Sequence, residues 1–407
     1  MAGALSHIRV LDLSRILAGP WAGQMLADLG ADVIKVERPG SGDDTRGWGP
    51  PWLKDEHGEE TAVAAYFLCA NRNKRSVTID ITRPQGQRLV RELAAQSDVV
   101  LENFKLGGLA QYGLDYESLK TINPALVYCS ITGFGQDGPY APRAGYDFLI
   151  QGLGGLMSIT GRPDSEDGGG PMKAGVALTD ILTGLYATNA VLAALAWRER
   201  SGKGQFIDLA LLDVQVACLA NQAMNYLATG RNPSRLGNAH PNIVPYQDFP
   251  TADGYMILAI GNDAQFTRFC AEAGQPALAA DPRFATNAAR VENRTVLIPL
   301  LKKLTVDRTT ADWIAALEAR AVPCGPINTI ADVFADPQVQ ARGLKVEMAH
   351  PLAGTVSLVA NPMRLSATPT EYRRPPPLLG EHTVEVLTQT LGLDAGALGL
   401  LRADGVI

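Results

Sequence analysis

Short apolar runs alternate with helical patterns through the first 150 residues, and that rhythm narrows the possible folds more than any other feature of the chain. Residues 8–13 (IRVLDL) form a strand-length run. Gly19-Pro20 opens a helical stretch over 21–29, which Gly30 ends. Residues 32–36 (DVIKV), 75–81 (RSVTIDI), 98–101 (DVVL) and 126–131 (LVYCSI) read as further buried strands, with a helical pattern over 85–95. Strands alternating with helices form βαβ units, so an α/β fold with a mostly parallel, Rossmann-like sheet is expected. Ligands of such sheets bind beyond the strand carboxyl ends. The loops at 14–19, 37–42, 103–108 and 133–138 fall there. The first reads SRILAGP, not G-x-G-x-x-G, which argues against a dinucleotide grip at that turn.

The 407 residues exceed what one hydrophobic core usually serves. Three segments are expected: a large Rossmann-like, ligand-binding domain over 1–220, a smaller α/β domain over 221–330, and a segment over 331–407 that returns to the large domain. A net charge of −6 gives the whole molecule no attraction for nucleic acid. The absence of an 18-residue apolar run argues against a membrane span. The start of the chain lacks a basic stretch followed by an apolar one, so no secretory signal is read there. The five cysteines are scattered and form no C-x-x-C, which fits reduced thiols and a cytoplasmic location. The five histidines form no H-x-x-x-H pair, so no metal is expected.

The candidate chemistry centres on Asp180, in PMKAGVALTDILTGLYATNAVLAALAWRER, where a Gly-containing apolar approach meets a long Ala/Leu-rich helix. A carboxylate at the mouth of such a helix is costly to desolvate without a partner. Locally, the residue reads as a helix cap or as a chemical group. Basic residues gather near the strand ends: Arg38, Arg72, Lys74 and Arg75, and Lys105 beside Asn103 and Phe104. Together they could clamp a ligand with several phosphates. Glycines at 152–155, 161, 168–170 and 175 could let backbone N–H groups approach a ligand, or could simply form turns. There is no G-x-S-x-G elbow and no phosphate-binding P-loop, which leaves carboxylates as candidates for covalent chemistry.

Several segments together resemble the family III CoA-transferases: VLDLSRILAGPWAGQMLADLGADVIKVERPGSGDDTR, ANRNKRSVTIDI, VLENFKLGGL, YCSITGFGQDGPYAPRAGYD, GLMSITG, GVALTDILTGLYA and GKGQFIDLALLD. AHPNIVPYQDF, GNDAQF, VPCGPINT and RRPPPLLGEHT resemble the succinyl-CoA:glutarate branch of that family. The resemblance implies that Asp180 is the acyl-carrying nucleophile. It implies CoA contacts at Arg38, Arg72, Lys74, Arg75, Asn103, Phe104, Lys105 and Arg143. It also implies an interlocked homodimer, CoA and acyl-CoA as substrates rather than tightly bound cofactors, and no metal.

Two departures argue against a formyl-CoA:oxalate activity. Leu17, beside Arg15, replaces a glutamine, and Gly261-Asn262-Asp263 replaces a tetraglycine loop. A racemase-type histidine is replaced by Tyr146 in Gly145-Tyr146-Asp147, and a phenol with an ordinary pKa of about 10 makes a poor two-way proton shuttle. The expected reaction moves CoA from succinyl-CoA to a carboxylic acid, with a dicarboxylic one such as glutarate expected, through an aspartyl anhydride and an enzyme–CoA thioester. Gly154, Gly155 or Gly261 would stabilise oxyanions, and Arg15 or His240 would hold a distal carboxylate. The alternatives are an oxalate-type transferase, an acyl-CoA epimerase and a non-catalytic CoA-binding protein. The acid itself stays open among glutarate, succinate, itaconate, citramalate and mesaconate.

Overall fold

The computed structural model describes residues 3–407. Leu156–Lys173 and Met224–Pro337 form one compact unit, and the other described residues form a second, larger one. The larger unit is built on six parallel strands: β1 (Arg9–Asp12), β2 (Asp32–Glu37), β3 (Lys74–Thr78), β4 (Val99–Glu102), β5 (Val127–Thr132) and β6 (Gln205–Ala210). Their order is β3-β2-β1-β4-β5-β6. This is the order of a doubly wound sheet, and it reverses direction between β1 and β4. Sequence patterning anticipates the first five strands. It does not flag β6, an edge strand whose residues are mostly half-buried, so no continuous apolar run marks it.

Neighbouring strand residues point to opposite faces, and both faces are covered. Val10, Val33, Val99 and Val127 pack with Ala22 and Leu26 of helix α1 (Ala18–Asp28). Leu11, Ile34, Val100 and Tyr128 pack on the other side, with Leu89 and Leu93 of helix α2 (Pro84–Ala95). Val386, Leu387, Leu398 and Leu401 from the C-terminal helices complete that second layer. Near the site, helix α3 spans Asp147–Leu153 and helix α4 spans Leu178–Ser201. By length and composition α4 could cross a membrane. Here its Thr183, Ala187, Val191 and Leu195 stripe is buried, with the last three in the core beside α1. Gly184 permits the close approach, since a Cβ there would sit 2.8 Å from the Ala18 carbonyl oxygen.

One buried carboxylate ties the C-terminal segment to this sheet. Asp28 accepts from Arg72 at 2.9 and 2.5 Å, from Asn73 at 2.8 Å and from Asn361 at 3.0 Å. Arg72 also donates to the Val359 carbonyl oxygen at 2.7 Å. The smaller unit has its own core, with Phe249, Met256, Phe266, Phe269 and Trp313 packed around an antiparallel three-stranded sheet. Removing one partner of a buried ion pair strands the other charge. Asp28→Ala is therefore expected to cost about 3–5 kcal/mol. Urea unfolding measures that loss, and limited proteolysis should show faster cleavage within Gln338–Ile407.

Candidate active site

The loops after β1 and β4 sit side by side at the point where strand order reverses. Asn103 binds them together: its Oδ1 accepts from Arg15 N at 3.0 Å, and its Nδ2 donates to Arg15 O at 2.6 Å. Two cavities flank this link. The larger, about 480 Å³, is lined by Arg38, Ser41–Asp44, residues 79–82, Gln111 and Tyr112, among others. The narrower, about 120 Å³, is lined by Ile16, Leu17, Ala18, Arg143, Tyr146 and Asp180, among others. Arg15, Phe104 and Lys105 line both, so the two are lobes of one trough. Such a shape suits a ligand with a bulky charged head and a slender reactive end.

Asp180 does not cap its helix. Ala177 is at the N-cap without a side-chain bond, and Asp180 lies in the first turn of α4. The cap comes from elsewhere in the chain: Asp147 Oδ1 accepts from Thr179 N at 2.8 Å and from Asp180 N at 3.2 Å. A glycine contact brings Asp147 there. A Cβ on Gly133 would meet the Gly145 Cα at 2.5 Å, so the chain leaving β5 returns against its own start. Gln151 steadies Asp147 by donating to its Oδ2 at 2.7 Å, and Gln151 itself accepts from Ala174 N at 2.9 Å. The Asp180 carboxyl is thereby free to face the narrow lobe. Burial and the nearby Asp147 charge push its pKa up to about 7.

The CoA-transferase family III model matches residues 5–383, nearly the whole chain. The chain belongs to CoA-transferase family III. It is 57% identical over 385 residues to a succinate–glutarate CoA-transferase of Agrobacterium fabrum, covering 95% of both chains. It is 47% identical over 403 residues to a succinyl-CoA:glutarate CoA-transferase of Mus musculus, covering 99% of this chain and 90% of that one. A crystal structure of a CaiB/BaiF family protein from Brucella suis superposes with a TM-score of 0.84 at 54% identity, covering 96% of this chain and 100% of the other.

The remaining residues expected in the site of this CoA-transferase divide clearly. Arg38, Asn103, Phe104, Lys105 and Arg143 line the trough. Arg38, Lys105 and Arg143 have no carboxylate partner among the described residues. Arg143 lies over the rings of Tyr140 at 4.6 Å and Phe134 at 5.1 Å. Arg72, Lys74 and Arg75 do not line it. Their charges are committed inside the protein: Arg72 to Asp28, Lys74 to Asp12 at 2.9 Å, and Arg75 to Asp32 at 2.6 Å. The expectation that these three contact CoA is corrected accordingly. Residues 79–82, just past the end of β3, line the large lobe instead.

The expected oxyanion donors and acid contacts are also redistributed. Gly154 N donates to Ile150 O at 2.7 Å at the C-terminal end of α3, and neither Gly154 nor Gly155 lines the trough. Gly261 N donates to Gln265 Oε1 at 2.8 Å. His240 accepts from Asn242 N at 3.1 Å and packs on Tyr246. Gly261 and His240 belong to the smaller unit, whereas all the trough residues belong to the larger one. Leu17 lines the narrow lobe at the start of α1, whose N-terminus carries no side-chain cap. Arg15 lines both lobes, paired with Asp44 at 3.0 Å.

Two carboxyl groups escape sequence reasoning. Asp147 is one, visible beforehand only as the last letter of a Gly-Tyr-Asp motif. Glu102 is the other. It lies buried at the end of β4 and accepts from Phe104 N at 2.8 Å, and burial pushes its pKa up to about 7. It steadies the turn that presents Phe104 and Lys105. The raised pKa of Asp180 also bears on stability. Its folded value of about 7 exceeds the ordinary 3.8, so the folded protein holds this proton more tightly than the unfolded chain. Stability from this group is full below about pH 4 and is lost as pH rises to about 7. Asp180→Asn stays neutral, so its melting temperature is expected to gain on the native protein across that interval and to keep the gain above it. A thermal scan from about pH 4 to about pH 8 checks this.

Proposed function

We propose that this CoA-transferase moves CoA from succinyl-CoA to a dicarboxylic acid such as glutarate, with Asp180 as the nucleophile. The observation that carries the reading is the position of Asp180: a carboxyl relieved of capping, half-buried, at the narrow end of a trough with three cations that have no carboxylate partner among the described residues. The glutarate-named relatives support the choice of acid.

The chemistry needs no metal and no ATP, because one thioester is exchanged for another. The Asp180 carboxylate attacks the succinyl thioester carbonyl, the C–S bond breaks, and CoA leaves as a thiolate. The product is an aspartyl–succinyl anhydride. The thiolate then attacks the Asp180 carbonyl and expels succinate, leaving CoA on Asp180 as a thioester. The acceptor carboxylate displaces the thiolate to form a second anhydride. The thiolate finally attacks the acceptor's acyl carbon, which restores the Asp180 carboxylate and releases the new acyl-CoA.

Arg38 and Lys105 suit the CoA phosphates. Arg143, in the narrow lobe, offers the cationic contact that the distal carboxylate of a dicarboxylate needs. The uncapped N-terminus of α1 beside the same lobe favours negative charge developing at the reacting carbonyl. We also read the chain as a homodimer. Tyr146, Phe148, Leu149 and Leu153 expose apolar side chains on and beside α3, a surface suited to a second copy.

Succinyl-CoA incubated with a panel of acids should give glutaryl-CoA by mass spectrometry. Asp180→Ala is expected to reduce exchange to background while unfolding cooperatively; full exchange in that variant would overturn the assignment. Only ionised Asp180 attacks, so kcat is expected to rise with pH through about 7. Asp147→Asn keeps an oxygen for the helix cap but removes the charge that raises Asp180. The acid limb of its pH–rate profile should therefore move to lower pH.

A further inference from the structure

One residue of the narrow lobe has a backbone that its side chain disfavours. Ile16 has φ +73°, in the left-handed region. A β-branched side chain is a true outlier there, and such strain persists only where surrounding groups enforce it. The enforcing groups can be named one by one. Ile16 N donates to both oxygens of Asp43 at 3.2 Å. The preceding residue, Arg15, is fixed by its two backbone bonds to Asn103. Ser14, one further back, gives its carbonyl oxygen to Lys35 at 2.8 Å and its N–H to Asp12 at 3.0 Å.

Asp43 is the centre of this hold. It is buried, pairs with Lys35 at 2.9 Å, and accepts from Thr45 N at 3.0 Å and Thr45 Oγ1 at 2.8 Å. Both of its oxygens therefore face protein groups, although Asp43 is also among the residues that line the large lobe. Ile16 and Leu17 line the narrow lobe with Asp180 and do not line the large one. A conformation enforced at that place acts on the reacting end of the ligand, where the acid must fit.

We propose that Asp43 is a positioning residue for the acid side of the reaction: its carboxylate clamps Ile16 in the left-handed region, so that Ile16 and Leu17 form a fixed wall of the lobe that holds Asp180. This rests on the reading of the lobe as the site of acid transfer. Lys35 is the anchor of the clamp, because it grips Asp43 and the Ser14 carbonyl with one ammonium group.

A substrate-free cycle tests the clamp. Ile16→Gly and Ile16→Ala remove nearly the same contacts, but only glycine adopts positive φ without strain. Melting temperatures should place Ile16→Gly above Ile16→Ala in the otherwise native chain, the reverse of the usual order. Adding Asp43→Ala should remove that preference, because it takes away both oxygens that hold Ile16 N and the freed turn no longer needs positive φ. A glycine preference unchanged by Asp43→Ala would overturn the proposal. Should Asp43→Ala unfold without a cooperative transition, Asp43→Glu replaces it; that variant keeps a counter-charge for Lys35 while displacing the acceptor from Ile16.

The functional arm separates acid from donor. Asp43→Ala, or Asp43→Glu in its place, is expected to lower kcat/KM for glutarate by about tenfold or more, while KM for succinyl-CoA changes by less than about threefold. An equal or larger defect on the donor side would also overturn it. If the native enzyme transfers CoA to no dicarboxylate, the functional reading fails by itself, and the melting cycle still decides the clamp.

Discussion

Three carboxylates and three cations are buried together beneath the loops that form the trough, and the site rests on them. Asp12 pairs with Lys74, Asp43 with Lys35, and Glu37 with Arg46. The pairs are stitched together by further bonds: Ser14 joins Asp12 to Lys35, and Asp43 N donates to Glu37 at 2.9 Å. Desolvating six charges is expensive, and each of these groups tolerates it only through its partners. Burial alone would raise the Asp43 pKa, yet Lys35 and the Thr45 donors bring it down to about 2. A hydrophobic cluster of similar volume could hold the strands together. It could not fix the direction of each backbone group in the turn that follows β1.

The same groups explain what was legible in the sequence. The strands β1, β2, β4 and β5 carry short apolar runs because both faces of the sheet are covered, and such runs stand out in any reading. The basic cluster at 72–75 misled because sequence reports charge without its partner. Lys74 looks like a phosphate ligand until Asp12 is seen 2.9 Å away. Ile79 and Thr82, which line the large lobe just past that cluster, carry no charge and gave no signal. The role proposed for Asp180 comes from the family resemblance, whereas nothing in the sequence marks that its helix is capped from elsewhere, because the capping oxygen comes from Asp147 in a distant stretch of chain. The positive φ of Ile16 left no mark either, since isoleucine is the residue least expected to adopt it.

Asp147 links helix architecture to reactivity. By taking over the cap it frees a second carboxyl at the same helix end, and by being charged it makes that carboxyl more basic. A more basic carboxylate is a better nucleophile once ionised, and a poorer leaving group from an anhydride. In the mechanism proposed above, exchange runs in both directions through Asp180, and a value near neutrality suits the two demands together.

The contact between Gly133 and Gly145 has a consequence for how this family can diversify. Because two backbones touch at the neck, residues 134–144 form a closed loop whose interior can change without disturbing the seat of Asp147. That loop carries Tyr140 and Arg143, the latter lining the narrow lobe. On the proposed assignment of the site, selectivity can therefore be exchanged as a cassette, with two glycines as its fixed splice points and the helix that carries Asp180 left untouched.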